Sequence, residues 1–182
     1  MASLTERMIG AAKLDVATYE EVERDTTAMG QAMTVVVISS VAAGIGSLRT
    51  MGGAGVIIIT TVAIVGWFIW AGLTYLIGTK LLPEPQTQAD LSQLLRTIGF
   101  SASPGVLRIL GIIPVLGPVI NFAVSVWMLV AMVIAVRQAL DYQSTGRAVG
   151  VCLIGFVVYL VLSTMLGTML VMMGLPFMRV MS

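Results

Sequence analysis

Hydrophobic positions along the chain form long uninterrupted runs that short polar segments separate. Four stretches carry no charged residue, namely 26–48, 50–79, 109–136 and 148–178. A helix needs about 20 mostly apolar residues to cross the hydrocarbon core of a bilayer. Each stretch is long enough, so the pattern predicts a helical protein that crosses a membrane several times. A membrane barrel is excluded, because barrel strands alternate polar and apolar residues over about ten positions.

The polar N-terminus predicts an amphipathic helix over residues 3–24. Ser3 and Glu6 form an S-x-x-E capping box, and apolar residues then recur at steps of three and four. Two interpretations remain open. The helix lies on the membrane surface, or it is a polar lead-in that packs on the bundle.

The first two spans are predicted at 28–47 and 55–79, joined by a Gly-rich loop over 49–55. Asp25 or Thr26 is a plausible N-cap for the first span. The second ends at the sequence KLLPEP, because proline cannot continue a helix. A short amphipathic helix over 88–98 follows, with Thr87 and Asp90 predicted as its caps.

The middle of the chain, LRTIGFSASPGVLRILGIIPVLGP, interrupts this regular pattern. Residues 101–113 predict a short helix of about 20 Å at 1.5 Å per residue, followed by a break at Pro114, Gly117 and Pro118. A further apolar run covers 119–136. Either two spans meet at a tight Pro-Gly-Pro turn, or one re-entrant piece precedes one span. The last span is predicted at 148–172.

Basic residues favour the first of these alternatives, since lysine and arginine concentrate on the cytoplasmic side. Five spans place eight basic residues on the side of the N-terminus and two on the other, whereas four spans give seven and three. The expected fold is therefore an all-α bundle of five transmembrane helices with a short third span. An amphipathic N-terminal helix and a short amphipathic helix before the third span complete it.

The expected organisation is a cytoplasmic segment over 1–26, a transmembrane domain over 27–175 and a short tail over 176–182. We expect the N-terminus in the cytoplasm, the C-terminus outside, and the chain in the inner (cytoplasmic) membrane. The lipid bilayer is then its first partner.

Composition narrows the possible functions. The chain is 58% hydrophobic and 10% charged, whereas soluble domains carry about 25% charged residues. Its net charge of +1 gives no reason to expect a nucleic-acid partner, and it contains no histidine. Signatures such as G-x-S-x-G, H-E-x-x-H and the P-loop are absent from the sequence. We therefore expect no enzymatic activity, no catalytic residue, no metal and no cofactor.

Two polar residues lie near the break and form a candidate intramembrane site. Arg108 is either an anchor that snorkels to the headgroups or an intramembrane charge with a specific partner. Asn121 either bonds neighbouring helices or lines a pathway. Because broken helices often line substrate sites, a small transporter or channel that uses Pro114–Pro118 is the alternative function.

Small residues four positions apart form three pairs in or beside the last two predicted spans. Gly146–Gly150, Ala131–Ala135 and Ser163–Gly167 are such pairs. They let helix backbones approach closely, either within one bundle or between protomers.

The stretch DLSQLLRTIGFSASP resembles the Yip family, multipass membrane proteins named for interaction with Ypt/Rab GTPases, and its prokaryotic branch in particular. The matching residues are Asp90, Leu91, Arg96, Gly99, Phe100, Ser101 and Pro104. The resemblance covers about 28–172 and implies a cytosolic polar N-terminus and five spans. In the family, the middle span opens with a Gly-aromatic-Ser-x-x-Pro pattern.

One departure from the family bears on function. The D-L-Y-G-P motif of eukaryotic members is absent, and ERDTTAMGQ stands before the first span. This puts binding of a Rab-type GTPase in doubt. We expect a non-enzymatic protein that acts through helix-mediated association with itself or another membrane protein, in membrane organisation or a trafficking-like role.

Overall fold

The computed structural model describes residues 2–172, which form seven α-helices and no strand. The helices are α1 (Leu4–Ala12), α2 (Val16–Arg24), α3 (Met29–Gly46), α4 (Leu48–Leu76), α5 (Leu91–Ser101), α6 (Leu116–Ala139) and α7 (Thr145–Met172). Short 3-10 helices cover Thr26–Ala28 and Ser103–Ile112, and a π-helical turn, Ile77–Leu81, extends α4.

Four of the described helical segments are long and apolar enough to cross a membrane. They are Thr26–Gly46, Leu48–Leu81, Leu116–Ala139 and Thr145–Met165. These segments coincide with the predicted first, second, fourth and last spans. The predicted all-helical membrane architecture is therefore confirmed at this level.

The prediction of one N-terminal helix over 3–24 is wrong. Leu14 adopts a positive φ of 63° and separates α1 from α2, and the side chain of Asp15 caps α2 by accepting from the Thr18 amide at 3.2 Å. The Ser3–Glu6 capping box is confirmed. The two helices pack against α5 and α6, as the packing interpretation expects, and the indole of Trp127 donates to the Ala12 carbonyl at 2.8 Å.

The predicted Gly-rich loop over 49–55 is also wrong, because α3 and α4 are joined by the single residue Ser47. A kink within α4 falls at Gly52, whose φ is 64°. Gly46 meets the backbone of the 3-10 helix Ser103–Ile112, and a Cβ atom there would collide with the Arg108 carbonyl. Gly46 therefore lets α3 and the 3-10 helix pack side by side over an extensive contact.

The middle of the chain divides differently from the prediction. The amphipathic helix predicted at 88–98 is α5, which begins at Leu91 and continues to Ser101. The short third span predicted at 101–113 is not an α-helix but the 3-10 helix Ser103–Ile112. Pro104 at its start has no amide hydrogen to continue the α-helical ladder, and the narrower 3-10 coil lets its backbone reach α3.

The chain reverses at residues 113–115, before the predicted Pro-Gly-Pro break is complete. Val115 has a φ of 68° and is 88% exposed. Gly117 and Pro118 already belong to the first turn of α6, where proline is tolerated because the amide has no helical partner. Only Pro114 of the three predicted break residues lies in the turn.

The hydrophobic core is centred on α5. Residues 94–101 are buried without exception, and α5 contacts α2, α3, α4 and α6. By contrast, α7 is buried near its start, at Ala148, Val151 and Cys152, and largely exposed beyond. The predicted tail over 176–182 lies outside the described residues. So does Arg179, which was counted among the basic residues when five spans were compared with four.

Candidate functional site

The family-like motif begins at the N-terminus of α5. The Asp90 side chain accepts from the Gln93 amide at 2.8 Å, and the Gln93 side chain accepts from the Asp90 amide at 2.7 Å. This capping box satisfies two amides that the helix leaves unpaired. The Ser92 hydroxyl also donates to Asp90 at 2.6 Å and is the main reason why the pKa of that carboxyl is lowered. Leu91 is 43% exposed.

Arg96 is a buried connector between α5 and α2. It is 3% exposed. Its Nε donates to the Val22 carbonyl at 2.9 Å, one Nη donates to the Glu23 carbonyl, and the other donates to the Ser92 hydroxyl at 2.9 Å. The two carbonyls lie at the end of α2, where helical partners are missing. Arg96 therefore bonds the end of α2 to α5. It thereby holds the N-terminal hairpin, which consists of α1 and α2, against the core.

The remaining motif residues pack α5 into the bundle. A Cβ atom on Gly99 would lie 2.9 Å from the Cβ of Ala32, so only glycine allows α3 to come this close. Phe100 and Pro104 are buried. The Ser101 hydroxyl donates to a carbonyl of its own helix at 2.7 Å. The motif thus consists mainly of packing and capping residues.

A cavity of about 370 Å³ lies where α3, α4, α5, the 3-10 helix, α6 and α7 meet. Its walls are mostly apolar, and Arg108 supplies the charge. One Nη of Arg108 donates to the Ser125 hydroxyl at 2.9 Å. The Nε atom is buried and has no hydrogen-bond partner in the described residues.

Asn121 does not join Arg108 in this cavity. Its side chain is exposed and lies beside Gly111, near the turn that precedes α6. The two predicted residues are linked only indirectly, because the Ser125 hydroxyl donates to the Asn121 carbonyl at 2.8 Å while accepting from Arg108.

Sequence reasoning missed a buried ionic cluster around Arg7. Its guanidinium contacts Glu21 at 2.8 Å, Asp25 at 2.5 Å and the Gln31 side chain at 2.9 Å, and the residue is 2% exposed. The pKa of Asp25 falls to about 2, first because the Thr27 hydroxyl donates to it and second because Arg7 does. The cluster ties α1, α2 and the start of α3 together.

Glu23 is a second buried ionisable side chain that sequence reasoning missed. It is 8% exposed and accepts from the Gln93 side chain at 3.3 Å. Burial, followed by the nearby Asp141, raises its pKa to about 7. The helical spacing indicates both burials. Arg7 lies four residues before Ala11, and Glu23 lies four residues after Tyr19, so each shares a helix face with an apolar residue that is buried.

Polar contacts join two connecting segments at the opposite end of the bundle from Val115. Glu84 lies 3.4 Å from Arg147 and accepts from the Gln143 amide at 2.9 Å. The Tyr142 hydroxyl donates to the Leu82 carbonyl at 2.7 Å. The link after α4 and the link between α6 and α7 therefore share one end.

Within residues 2–172, no three His, Cys, Asp or Glu side chains are grouped so as to hold a metal ion. The long apolar helices and the buried, capped α5 define a helical membrane protein. A family model, the Yip1 domain, matches residues 16–165. The chain therefore belongs to the Yip1 family, and the resemblance predicted from its motif is confirmed. Neither a curated protein nor a solved structure gives a significant match.

Proposed function

We propose that this Yip1-family protein is a non-enzymatic integral membrane protein that works through helix-mediated association. Its partner is a second copy or another membrane protein, and its role is membrane organisation or a trafficking-like process. The observation that carries the proposal is the exposure of α7 in the described part of the chain.

Beyond its first turns, α7 is largely exposed, although Gly155 and Tyr159 lie beside Trp70 of α4. Over residues 153–165 only Gly155 is buried, and Leu153, Val157 and Met165 are each more than half exposed. In a bilayer such an exposed face is available for contact with a second transmembrane helix. The Ser163–Gly167 pair on this helix is of the kind that allows close helix contact in lipid.

We further propose that the protein crosses the inner membrane five times, with the N-terminus in the cytoplasm and the C-terminus outside. The third crossing consists of α5 and the following 3-10 helix. Their combined helical rise is about 36 Å, from 1.5 Å per α-helical and 2.0 Å per 3-10 residue, which exceeds a core of about 30 Å. The link that contains Glu84 and the link that contains Gln143 lie at the same end of the bundle. Five crossings place both links on the same side of the membrane, so this arrangement supports the topology.

Crosslinking in native membranes tests the association. In a Cys152→Ser background, Phe156→Cys and Leu160→Cys place single thiols on exposed positions of α7. Ile57→Cys, at a 72% exposed position of α4, is the matched control. We expect covalent adducts from α7 and far fewer from α4, with the adduct mass identifying a second copy or a different protein. Monomers at every position, with nothing copurifying, would contradict the proposal.

The alternative, a small transporter or channel at the broken segment, has weaker support. Arg108 lines the cavity, but Asn121 does not. The turn itself is packed backbone against backbone, since a Cβ atom on Gly117 would collide with Gly111. Solute uptake that requires both Arg108 and Asn121 would favour transport instead.

A further inference from the structure

The cavity that Arg108 lines has the length of one bilayer leaflet. Along α4 its wall extends from Ile59 to Trp70, which is about 16 Å at 1.5 Å per residue. Half of a bilayer core is about 15 Å. The cavity volume of about 370 Å³ falls within the range of sites that bind small molecules, roughly 300 to 1,000 Å³.

The charged end of the cavity is the end near the turn at residues 113–115. Along the 3-10 helix, a rise of about 10 Å separates Arg108 from Ile113. The backbone of Arg108 lies beside Gly46 at the end of α3. The guanidinium of Arg108 lines this end of the cavity, where one Nη donates to the Ser125 hydroxyl. The other end, at Trp70, Ile98 and Met132, carries no charged side chain.

Arg108 has unused capacity to bind an anion. Among residues 2–172, the ion pairs of the protein do not include Arg108, and its buried Nε has no acceptor. A guanidinium in a low-dielectric site without an acidic partner is unfavourable. Phosphate oxygens match the arginine fork and form charge-assisted hydrogen bonds with it.

We propose that this cavity binds one anionic phospholipid, with its phosphate on Arg108 and one acyl chain along α4. The lipid comes from the leaflet that the Val115 turn faces. Gly66 leaves room for the chain, because an added Cβ atom there would meet no atom within 4 Å. The cavity takes Tyr159 from α7, whereas the proposed association is tested at the exposed positions Phe156 and Leu160 of that helix.

Titration of delipidated protein in detergent, followed by native mass spectrometry, tests the headgroup contact. The probes are phosphatidylglycerol, phosphatidylcholine and inorganic phosphate. We expect Arg108→Gln to weaken phosphatidylglycerol binding by about tenfold, since a charge-assisted hydrogen bond is lost. Arg49→Gln is the matched control, because Arg49 is exposed at the same end of the bundle, and should leave the affinity within about twofold.

A second pair of variants tests the acyl-chain contact without changing any charge. Gly66→Leu places a side chain in the cavity, and we expect a similar loss of about tenfold. Gly72→Leu is the control, since a Cβ atom on Gly72 also meets open space and Gly72 is not among the lining residues. Both variants replace a helical glycine by a better helix former, so folding is maintained even if Arg108→Gln unfolds.

Several results would overturn the proposal. Unchanged phosphatidylglycerol binding in Gly66→Leu, or in a folded Arg108→Gln protein, would remove the cavity as the site. Equal losses in the control variants would do the same. Equal affinity for phosphatidylcholine, or saturable binding of inorganic phosphate alone at the same affinity, would exclude an anionic phospholipid as the occupant.

Discussion

Replacement of Arg96 by methionine is expected to loosen the N-terminal hairpin from the membrane bundle. Methionine retains an unbranched apolar stem but donates no hydrogen bond. The Val22 and Glu23 carbonyls, which Arg96 satisfies in the buried interface, would then lose their partner. A buried polar group left without a partner costs about 1–3 kcal/mol, so Arg96→Met is expected to lower the free energy of unfolding by about 2–5 kcal/mol.

The measurement is unfolding of the purified protein in mixed detergent micelles, followed by helix content. Arg24→Met is the matched control, because the Arg24 side chain is 76% exposed and a surface ion pair contributes about 0–1 kcal/mol. Arg96→Lys keeps the positive charge but lacks the several fixed N–H donors of the guanidinium. Its stability should therefore lie between those of wild type and Arg96→Met. A loss below about 1 kcal/mol for Arg96→Met, or an equal loss for Arg24→Met, would refute the role of Arg96 as a connector.

Three further predictions use the same unfolding measurement. Gly46→Ala is expected to destabilise the protein by about 1–3 kcal/mol, because the added Cβ atom would collide with the 3-10 helix. Gly30→Ala is the control and should not destabilise, since Gly30 has open space around it. Equal effects of the two variants would contradict the close approach of Gly46 to the 3-10 helix. Glu23 has a pKa of about 7 instead of the ordinary 4.5, so its stabilising effect is complete below pH 4.5 and is lost as the pH rises to about 7. Glu23→Gln should remove up to about 3 kcal/mol of this pH dependence, and an unchanged pH profile would contradict the burial of Glu23. Trp67→Phe removes the indole hydrogen bond to the Leu95 carbonyl, which is 3.0 Å long, and should cost about 1 kcal/mol; an unchanged stability would show that this bond contributes nothing.

Most of the long helices could be predicted from the sequence, because lipid requires continuous apolar runs and places charges between them. The bounds of α3 and α6 differ from the predicted spans by a few residues. The 3-10 helix Ser103–Ile112 could not be predicted in this way. Its geometry depends on contact with Gly46 in another helix, and a hydrophobicity pattern contains no information on such a contact.

The candidate site was predicted less completely than the fold. The family-like motif identified the right segment, but the role of Arg96 depends on where the end of α2 lies in space. The cavity could not be predicted either, because its walls combine six elements that are spread from Val36 to Tyr159. The buried charges of Arg7 and Glu23 were detectable in principle as polar residues on apolar helix faces.

The orientation of the turn at Val115 tests the five-crossing topology most directly. Single cysteines at Gln88, Val115 and Ser144, each in a Cys152→Ser background, would be exposed to a membrane-impermeant maleimide on intact cells. We expect labelling of Val115→Cys on intact cells, and labelling of Gln88→Cys and Ser144→Cys only after permeabilisation. Labelling of Ser144→Cys on intact cells, with Val115→Cys protected, would show instead that the segment before α6 re-enters the membrane.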